Sequence, residues 1–147
     1  GLLKGEMDSA VAQGAHALFC PCGLGHMMGL DVHEMEGLGE DHVGYNANIK
    51  RSDQFGTDRL RLAIPLEPGH VITVEPGIYF NPNLISQWRA EAKFQDFIDY
   101  NEVGKYSGFT GIRLEDDILV TPDGNRILGK QIPKSIEDVE DLSSQSL

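Results

Sequence analysis

The chain has 147 residues, of which 40% are hydrophobic and 24% are charged, a length and composition typical of one globular domain. Its formal net charge of −11 argues against nucleic acid or an anionic membrane surface as a partner, because both repel acidic proteins. The two cysteines, Cys20 and Cys22, form neither a disulfide framework nor a four-ligand zinc site, so we expect a reducing, cytoplasmic environment.

The first third of the chain predicts one helix followed by loops. Residues 6–18 have the composition of a short helix, which Gly14 weakens. Residues 24–34 are expected to be extended or looped because their glycines disfavour a helix. Residues 37–56 are polar and contain further glycines, which predicts a loop.

The rest of the chain predicts strands flanked by helices. A β-branched strand runs from His70 to Val74, and Pro76-Gly77 interrupts it. Apolar residues in 81–100 recur near helical spacing, whereas 108–129 reads as two strands joined by a Thr-Pro-Asp-Gly turn. A last helix begins at Ser135 with an S-x-x-D capping pattern. This order predicts an α+β fold whose sheet is antiparallel or mixed.

The stretch GLGHMMGLDVHE, residues 23–34, is the first candidate site. It places His26 and His33, with Asp31 between them, in a mostly apolar and glycine-rich segment. Imidazole is a common ligand of divalent transition metals, and glycine lets a backbone approach a bound group closely. The alternative is a pair of histidines with an ordinary structural role, and spacing alone favours that alternative.

Two further places carry charges on predicted strands. Glu75 ends an apolar strand, and Pro76 holds it in an extended conformation. Strand alternation places Arg113 and Glu115 on one face of one strand. Each charge by itself fits a solvent-exposed strand end or edge. Together with His26, however, the two carboxylates make a mixed nitrogen and oxygen ligand set that suits manganese, cobalt or zinc.

Three motifs in this order, GLGHMMGLDVHE, VEPGIY and GIRLEDD, resemble the C-terminal half of the pita-bread metallopeptidases. The resemblance extends over residues 14–130 and is strongest to the proline-specific branch, which includes aminopeptidase P and prolidase. It implies half of a pita-bread fold, a curved and mostly antiparallel sheet with flanking helices. Residues 1–147 would then be the C-terminal part of a catalytic domain whose first half is absent from this sequence.

The resemblance also implies a ligand set for two divalent metal ions. In this family two aspartates, one histidine and two glutamates bind the metals, and three of these positions match His26, Glu75 and Glu115. Glu115 would bridge the two ions. The aspartates belong to an earlier pair of strands that this chain does not match, since Asp31, Asp53 and Asp58 all lie in the wrong sequence context.

Further positions match residues that act on the substrate. His33 resembles the family histidine near the scissile bond, and Arg113 the arginine that orients the site. Counted back from Glu75, Arg61 falls where prolidases bind the C-terminal carboxylate of a substrate, which favours dipeptides; the alternative is a solvated loop arginine. One departure is Cys22, which replaces a histidine of the substrate pocket and is a much weaker hydrogen-bond partner.

The implied function is two-metal hydrolysis of Xaa-Pro bonds, with manganese as the expected metal and cobalt or zinc as alternatives. Glu75 would relay the proton to the leaving proline nitrogen, and His33 would donate to the developing oxyanion. We expect the full-length protein to be a homodimer and this chain alone to be inactive. One alternative is a catalytically dead pita-bread binding module. Another is a methionine aminopeptidase, but the LDVHE stretch and the long insert between Gly77 and Gly108 argue against this second alternative.

Overall fold

The computed structural model describes residues 1–145 and combines short helices with antiparallel strands. The helices are α1 (Met7–Gln13), α2 (Glu40–Val43), α3 (Pro82–Ala90), α4 (Tyr100–Gly104) and α5 (Ile136–Ser144), with 3₁₀ turns at Ala15–Leu18 and Glu36–Leu38. The strands are β1 (Val71–Val74), β2 (Gly77–Tyr79), β3 (Gly111–Arg113), β4 (Asp116–Thr121) and β5 (Gly124–Ile127). The predicted α+β class is confirmed.

The strands form two small antiparallel sheets that lie end to end, separated by a break at residues 75–76 and 114–115. One sheet has the order β1-β4-β5, and β2 pairs with β3 in the other. Val74 pairs with Asp116 before the break and Gly77 pairs with Arg113 after it, so the same register runs through both sheets. At the break, this register sets Glu75 directly opposite Glu115.

The main core lies among the helices. Leu18, Trp88, Ile98 and Val103 are almost completely buried there, and Trp88 meets Phe94 edge-on with ring centroids 5.4 Å apart. Burying a large apolar side chain stabilises a fold by about 1.5–3 kcal/mol relative to leaving it in water. This core holds the helices together, and Phe80, which directly follows β2, belongs to it. Among residues 1–145, no helix is both long and apolar enough to cross a membrane.

The helix predicted over 81–100 is wrong. α3 ends at Ala90, Ala92 and Phe94 take left-handed backbone conformations with φ of 51° and 52°, and α4 begins only after Asp99. The apolar residues of this segment do enter the core, but through a reversal of the chain rather than along one helix face. Tertiary packing therefore overrides the helical spacing.

Three smaller expectations also need correction. Residues 6–18 form α1 and a 3₁₀ turn rather than one helix, because Gly14 is left-handed with φ of 91°. The predicted loop 37–56 contains α2. The first of the two strands expected in 108–129 is divided at the sheet break into β3 and β4. The Ser135 cap is present, since its hydroxyl accepts the Asp138 N–H at 3.1 Å.

Candidate metal centre

The segment 24–28 runs antiparallel to β1 and brings its histidine to the end of the sheet. Glu75 donates its backbone N–H to the carbonyl of Leu24 at 2.7 Å, and Thr73 donates to the carbonyl of His26 at 2.9 Å. A Cβ atom on Gly25 would lie 1.9 Å from the carbonyl oxygen of Thr73. Only glycine permits this close pairing, which explains why the histidine motif is rich in glycine.

His26 is 2% exposed and is held in one orientation. Its Nδ1 lies 2.9 Å from the carbonyl oxygen of Met27, which can only accept a hydrogen bond. In the neutral ring Nδ1 therefore carries the proton, and the lone pair of Nε2 faces Oε1 of Glu75 at 3.4 Å. A ring nitrogen and a carboxylate oxygen that face each other in this way are arranged to bind one divalent cation together, with the other ring nitrogen fixed by a backbone carbonyl.

Two carboxylates lie beside His26 just past the end of β1, at the corner of the sheet where the candidate ligands meet. Glu75 is 9% exposed and Glu115 faces it across the sheet break. One ligand atom each from His26, Glu75 and Glu115 lies within 4.8 Å of the others. One imidazole nitrogen and two carboxylate oxygens form a donor set that suits zinc, cobalt or manganese, so these residues fit a divalent ion.

Arg113 balances the negative charge of the two glutamates. Its Nη1 lies 3.0 Å from Oε2 of Glu75 and its Nη2 lies 2.9 Å from Oε2 of Glu115. The nearby Glu115 carboxylate, and after it that of Glu75, raises the pKa of Arg113. Arg113 and Glu115 are therefore neighbours as predicted, although they do not lie on one continuous strand.

Thr73 is a member of the site that the sequence reasoning missed. Its buried hydroxyl accepts the His26 backbone N–H at 3.0 Å and donates to Oε1 of Glu75 at 3.1 Å. It therefore links the histidine segment to the carboxylate. The available signal was strand alternation, which places Thr73 on the same face as Glu75.

The predicted substrate residues lie beside this corner. The ring of His33 meets that of His26 edge-on, with centroids 4.4 Å apart, and Nη1 of Arg61 lies 3.7 Å from Oε1 of Glu75. Arg61 also pairs closely with Glu36, which no sequence pattern had singled out. The structure thus brings together all six residues predicted for the site: His26, His33, Arg61, Glu75, Arg113 and Glu115.

The residues set aside by the sequence argument stay outside the ligand cluster. Asp31 is an exposed loop residue whose backbone N–H donates to Glu34 at 3.2 Å. Cys20 and Cys22 are free thiols, and Cys22 is exposed. Partial desolvation, and then the neighbouring Cys20 thiol, raises the pKa of Cys22, which argues against a thiolate nucleophile.

Comparison with known proteins agrees with this geometry. Residues 3–122 match the model of metallopeptidase family M24. Human Xaa-Pro dipeptidase is 37% identical over 140 residues, which cover 95% of this chain but 27% of that protein. The structure of Escherichia coli aminopeptidase P with the inhibitor Pro-Leu superposes with a TM-score of 0.60 at 36% identity, over 97% of this chain and 24% of that one.

A further solved structure, of zinc-substituted Escherichia coli aminopeptidase P in complex with product, has a TM-score of 0.61 at 34% identity and covers all of this chain but 26% of its own. The chain thus spans about a quarter of the length of these relatives, and its fold is that of part of a pita-bread domain, as predicted. Metallopeptidases use divalent metal ions, for which the structure offers a possible ligand group. The chain belongs to metallopeptidase family M24.

Proposed function

We propose that this chain is the C-terminal part of the catalytic domain of an Xaa-Pro peptidase, and that the full-length protein hydrolyses Xaa-Pro peptide bonds with two divalent metal ions. The observation that carries this proposal is the convergence of His26, Glu75 and Glu115, whose ligand atoms lie within 4.8 Å of one another. The Xaa-Pro dipeptidase and aminopeptidase P names of the relatives support the substrate class.

His26, Glu75 and Glu115 would hold the metal ions together with two aspartates from the first half of the domain. When bound, such ions supply Lewis acidity and a water of lowered pKa. We propose manganese as the native metal. The half-exposed Arg113 keeps the two glutamate carboxylates oriented toward each other, which preorganises the ligand set.

The remaining residues act on the substrate. Glu75 accepts the proton of the attacking water and passes it to the leaving nitrogen of proline. His33, whose side chain is about half exposed beside His26, donates a hydrogen bond to the carbonyl oxygen as negative charge develops there. The guanidinium group of Arg61, whose Nη1 lies 3.7 Å from Glu75, would bind the C-terminal end of the substrate.

Assays of the full-length protein test this proposal. We expect the manganese-loaded protein to cleave Ala-Pro and to leave Pro-Ala intact, and to be a homodimer by light scattering. The 147-residue chain alone, with three of five ligands, should cleave neither peptide. Absence of Xaa-Pro cleavage by the loaded full-length protein would favour the alternative, a catalytically dead binding module.

A further inference from the structure

We infer that Glu36 is a specificity-determining residue that competes with the C-terminal carboxylate of the substrate for Arg61. It thereby directs the enzyme toward substrates that carry no free carboxylate on the proline, such as longer peptides. This inference rests on the proposed Xaa-Pro peptidase function and corrects the preference for dipeptides that Arg61 by itself suggested.

Glu36 occupies one complete edge of the Arg61 guanidinium group. Nε of Arg61 lies 3.0 Å from Oε1 of Glu36, and Nη2 lies 2.9 Å from Oε1 and 3.1 Å from Oε2. The two side chains are only 21% and 19% exposed, so water screens the pair weakly. This two-point contact is the one that a substrate carboxylate would make with an arginine.

The other edge of the Arg61 guanidinium group also faces a carboxylate. Its Nη1 faces Oε1 of Glu75 at 3.7 Å. One positive charge is therefore already shared between two carboxylates. A third carboxylate, from the end of a dipeptide, would have to share the charge of Arg61 with Glu36 or displace Glu36 from it. A peptide bond or an amide at the same position carries no charge and avoids this competition.

The backbone holds the pair in place. Glu36 begins a 3₁₀ turn that follows Met35, whose φ of 51° is left-handed, and Arg61 itself has a φ of 65°. Ala63 donates its N–H to the carbonyl of Gly44 at 2.7 Å, and a Cβ atom on Gly44 would lie 1.7 Å from the carbonyl of Arg61. Two unusual backbone conformations and one close approach thus present the two side chains to each other.

Glu36 also contacts the second predicted substrate residue. Nδ1 of His33 lies 3.8 Å from Oε2 of Glu36. A substrate carboxylate that displaced Glu36 would therefore disturb the neighbour of the histidine that faces the scissile bond. The competition is consequently expected to weaken dipeptide binding.

The test compares two substrates that differ only in charge, Ala-Pro and its C-terminal amide, in the metal-loaded full-length protein. We expect the wild-type protein to have the higher kcat/KM for the amide. Glu36→Gln keeps the shape of the side chain and removes its charge. It should raise the acid-to-amide ratio of kcat/KM by roughly tenfold, mainly through a lower KM for the acid.

Glu40→Gln is the matched control. Glu40 lies in the same region of the chain but pairs with Arg51 at 3.1 Å rather than with Arg61, so its substitution should leave the ratio unchanged. A ratio of two substrates in one preparation is insensitive to the fraction of folded enzyme, which separates specificity from stability.

The outcomes separate the inference from the proposed function. If the wild-type protein cleaves both substrates and Glu36→Gln leaves the ratio unchanged or lowers it, Glu36 positions Arg61 rather than competing, and the inference is overturned. A wild-type preference for the acid overturns it without any substitution. If the wild-type protein cleaves neither substrate, the proposed function fails and the inference fails with it.

Discussion

The Nε2 atom of His26 lies 3.4 Å from Oε1 of Glu75, and the Nδ1–H of the neutral ring is committed to a backbone carbonyl. The two side chains are 49 positions apart, and the pairing of segment 24–28 with β1 brings them together. The resulting pair of facing acceptors is arranged to share one divalent cation. Metal binding and local order are therefore linked at this point.

Substitution of the histidine should weaken metal binding. In the full-length protein, His26→Ala removes the one nitrogen ligand of the cluster, and we expect metal affinity to fall by at least about tenfold. Metal content after dialysis, measured by mass spectrometry, checks this. The control is His42→Ala, which removes an exposed imidazole in α2. Full metal retention by His26→Ala would contradict the assignment of this ligand.

The close approach at Gly25 predicts a stability effect. Gly25→Ala would place a methyl group 1.9 Å from the carbonyl oxygen of Thr73, so the 24–28 segment must move away from β1. We expect a loss of about 1–3 kcal/mol, as for other overpacked sites, together with weaker metal binding. Thermal unfolding of the full-length protein measures the loss. Gly104→Ala, with open space around its Cβ position, should cause no such loss.

The contribution of Arg113 to thermal stability should be largest when no metal is bound. Arg113 contacts both Glu75 and Glu115, so Arg113→Met removes the positive charge that these two facing carboxylates share and leaves only Arg61, 3.7 Å from Glu75, beside them. We expect the thermal midpoint to fall more in chelator than in excess manganese, because the ions supply the missing positive charge. Arg126→Met, on the exposed strand β5, should lower the midpoint equally under both conditions or not at all. An equal fall for Arg113→Met would refute the argument.

The N-cap of α4 predicts a pH dependence. The Asp99 carboxylate accepts the backbone N–H groups of Glu102 at 3.1 Å and Asn101 at 3.0 Å, and the Glu102 bond is the main cause of its lowered pKa. Because the folded pKa lies below the unfolded one, this stabilisation is present above about pH 4 and is lost as the pH falls through the lowered folded value. Asp99→Asn can still cap the helix but carries no charge.

We therefore expect Asp99→Asn to lower the thermal midpoint at neutral pH and to match the wild-type protein in acid. Midpoints measured across this pH range check the prediction. Asp123→Asn, in the exposed turn between β4 and β5, serves as the control for the loss of one negative charge. A difference that grows toward acid pH would have the wrong sign and would reject the explanation.

Cys22, at the position where the resemblance implies a histidine of the substrate pocket, allows a gain-of-function test. Its thiol is exposed and is a weak hydrogen-bond partner, whereas an imidazole can both donate and accept. We expect Cys22→His to raise kcat/KM for Xaa-Pro cleavage by the full-length protein by roughly tenfold, and Cys20→Ser to have little effect. A lower rate for Cys22→His would show that this pocket has adapted to the smaller side chain.

Much of the site could be predicted because its signals are local. His26 stands in a glycine-rich motif, Glu75 precedes a proline at a strand end, and Arg113 and Glu115 are two residues apart. Each signal by itself was ambiguous, and only the resemblance to a family indicated that these residues belong to one metal site. The roles of these residues stay predictions, whereas the family and the fold class are confirmed.

The errors arose where distant contacts outweighed local preference. The segment 81–100 has helical spacing, yet the burial of Trp88 and Ile98 in one core requires the chain to reverse at Ala92 and Phe94. Backbone conformations with positive φ at such residues have no sequence signal, because they are imposed by packing.

The sequence by itself determined the chemical inventory of this protein: the imidazole, the carboxylates, the guanidinium groups and the glycines that let them approach. Only the tertiary structure decided their pairing. The register of β1 with β4 sets Glu75 opposite Glu115, and the fold brings Glu36 onto Arg61 across 25 positions of chain. Charges interact through space, and the sequence separation of two residues does not reveal the distance between them in the folded chain.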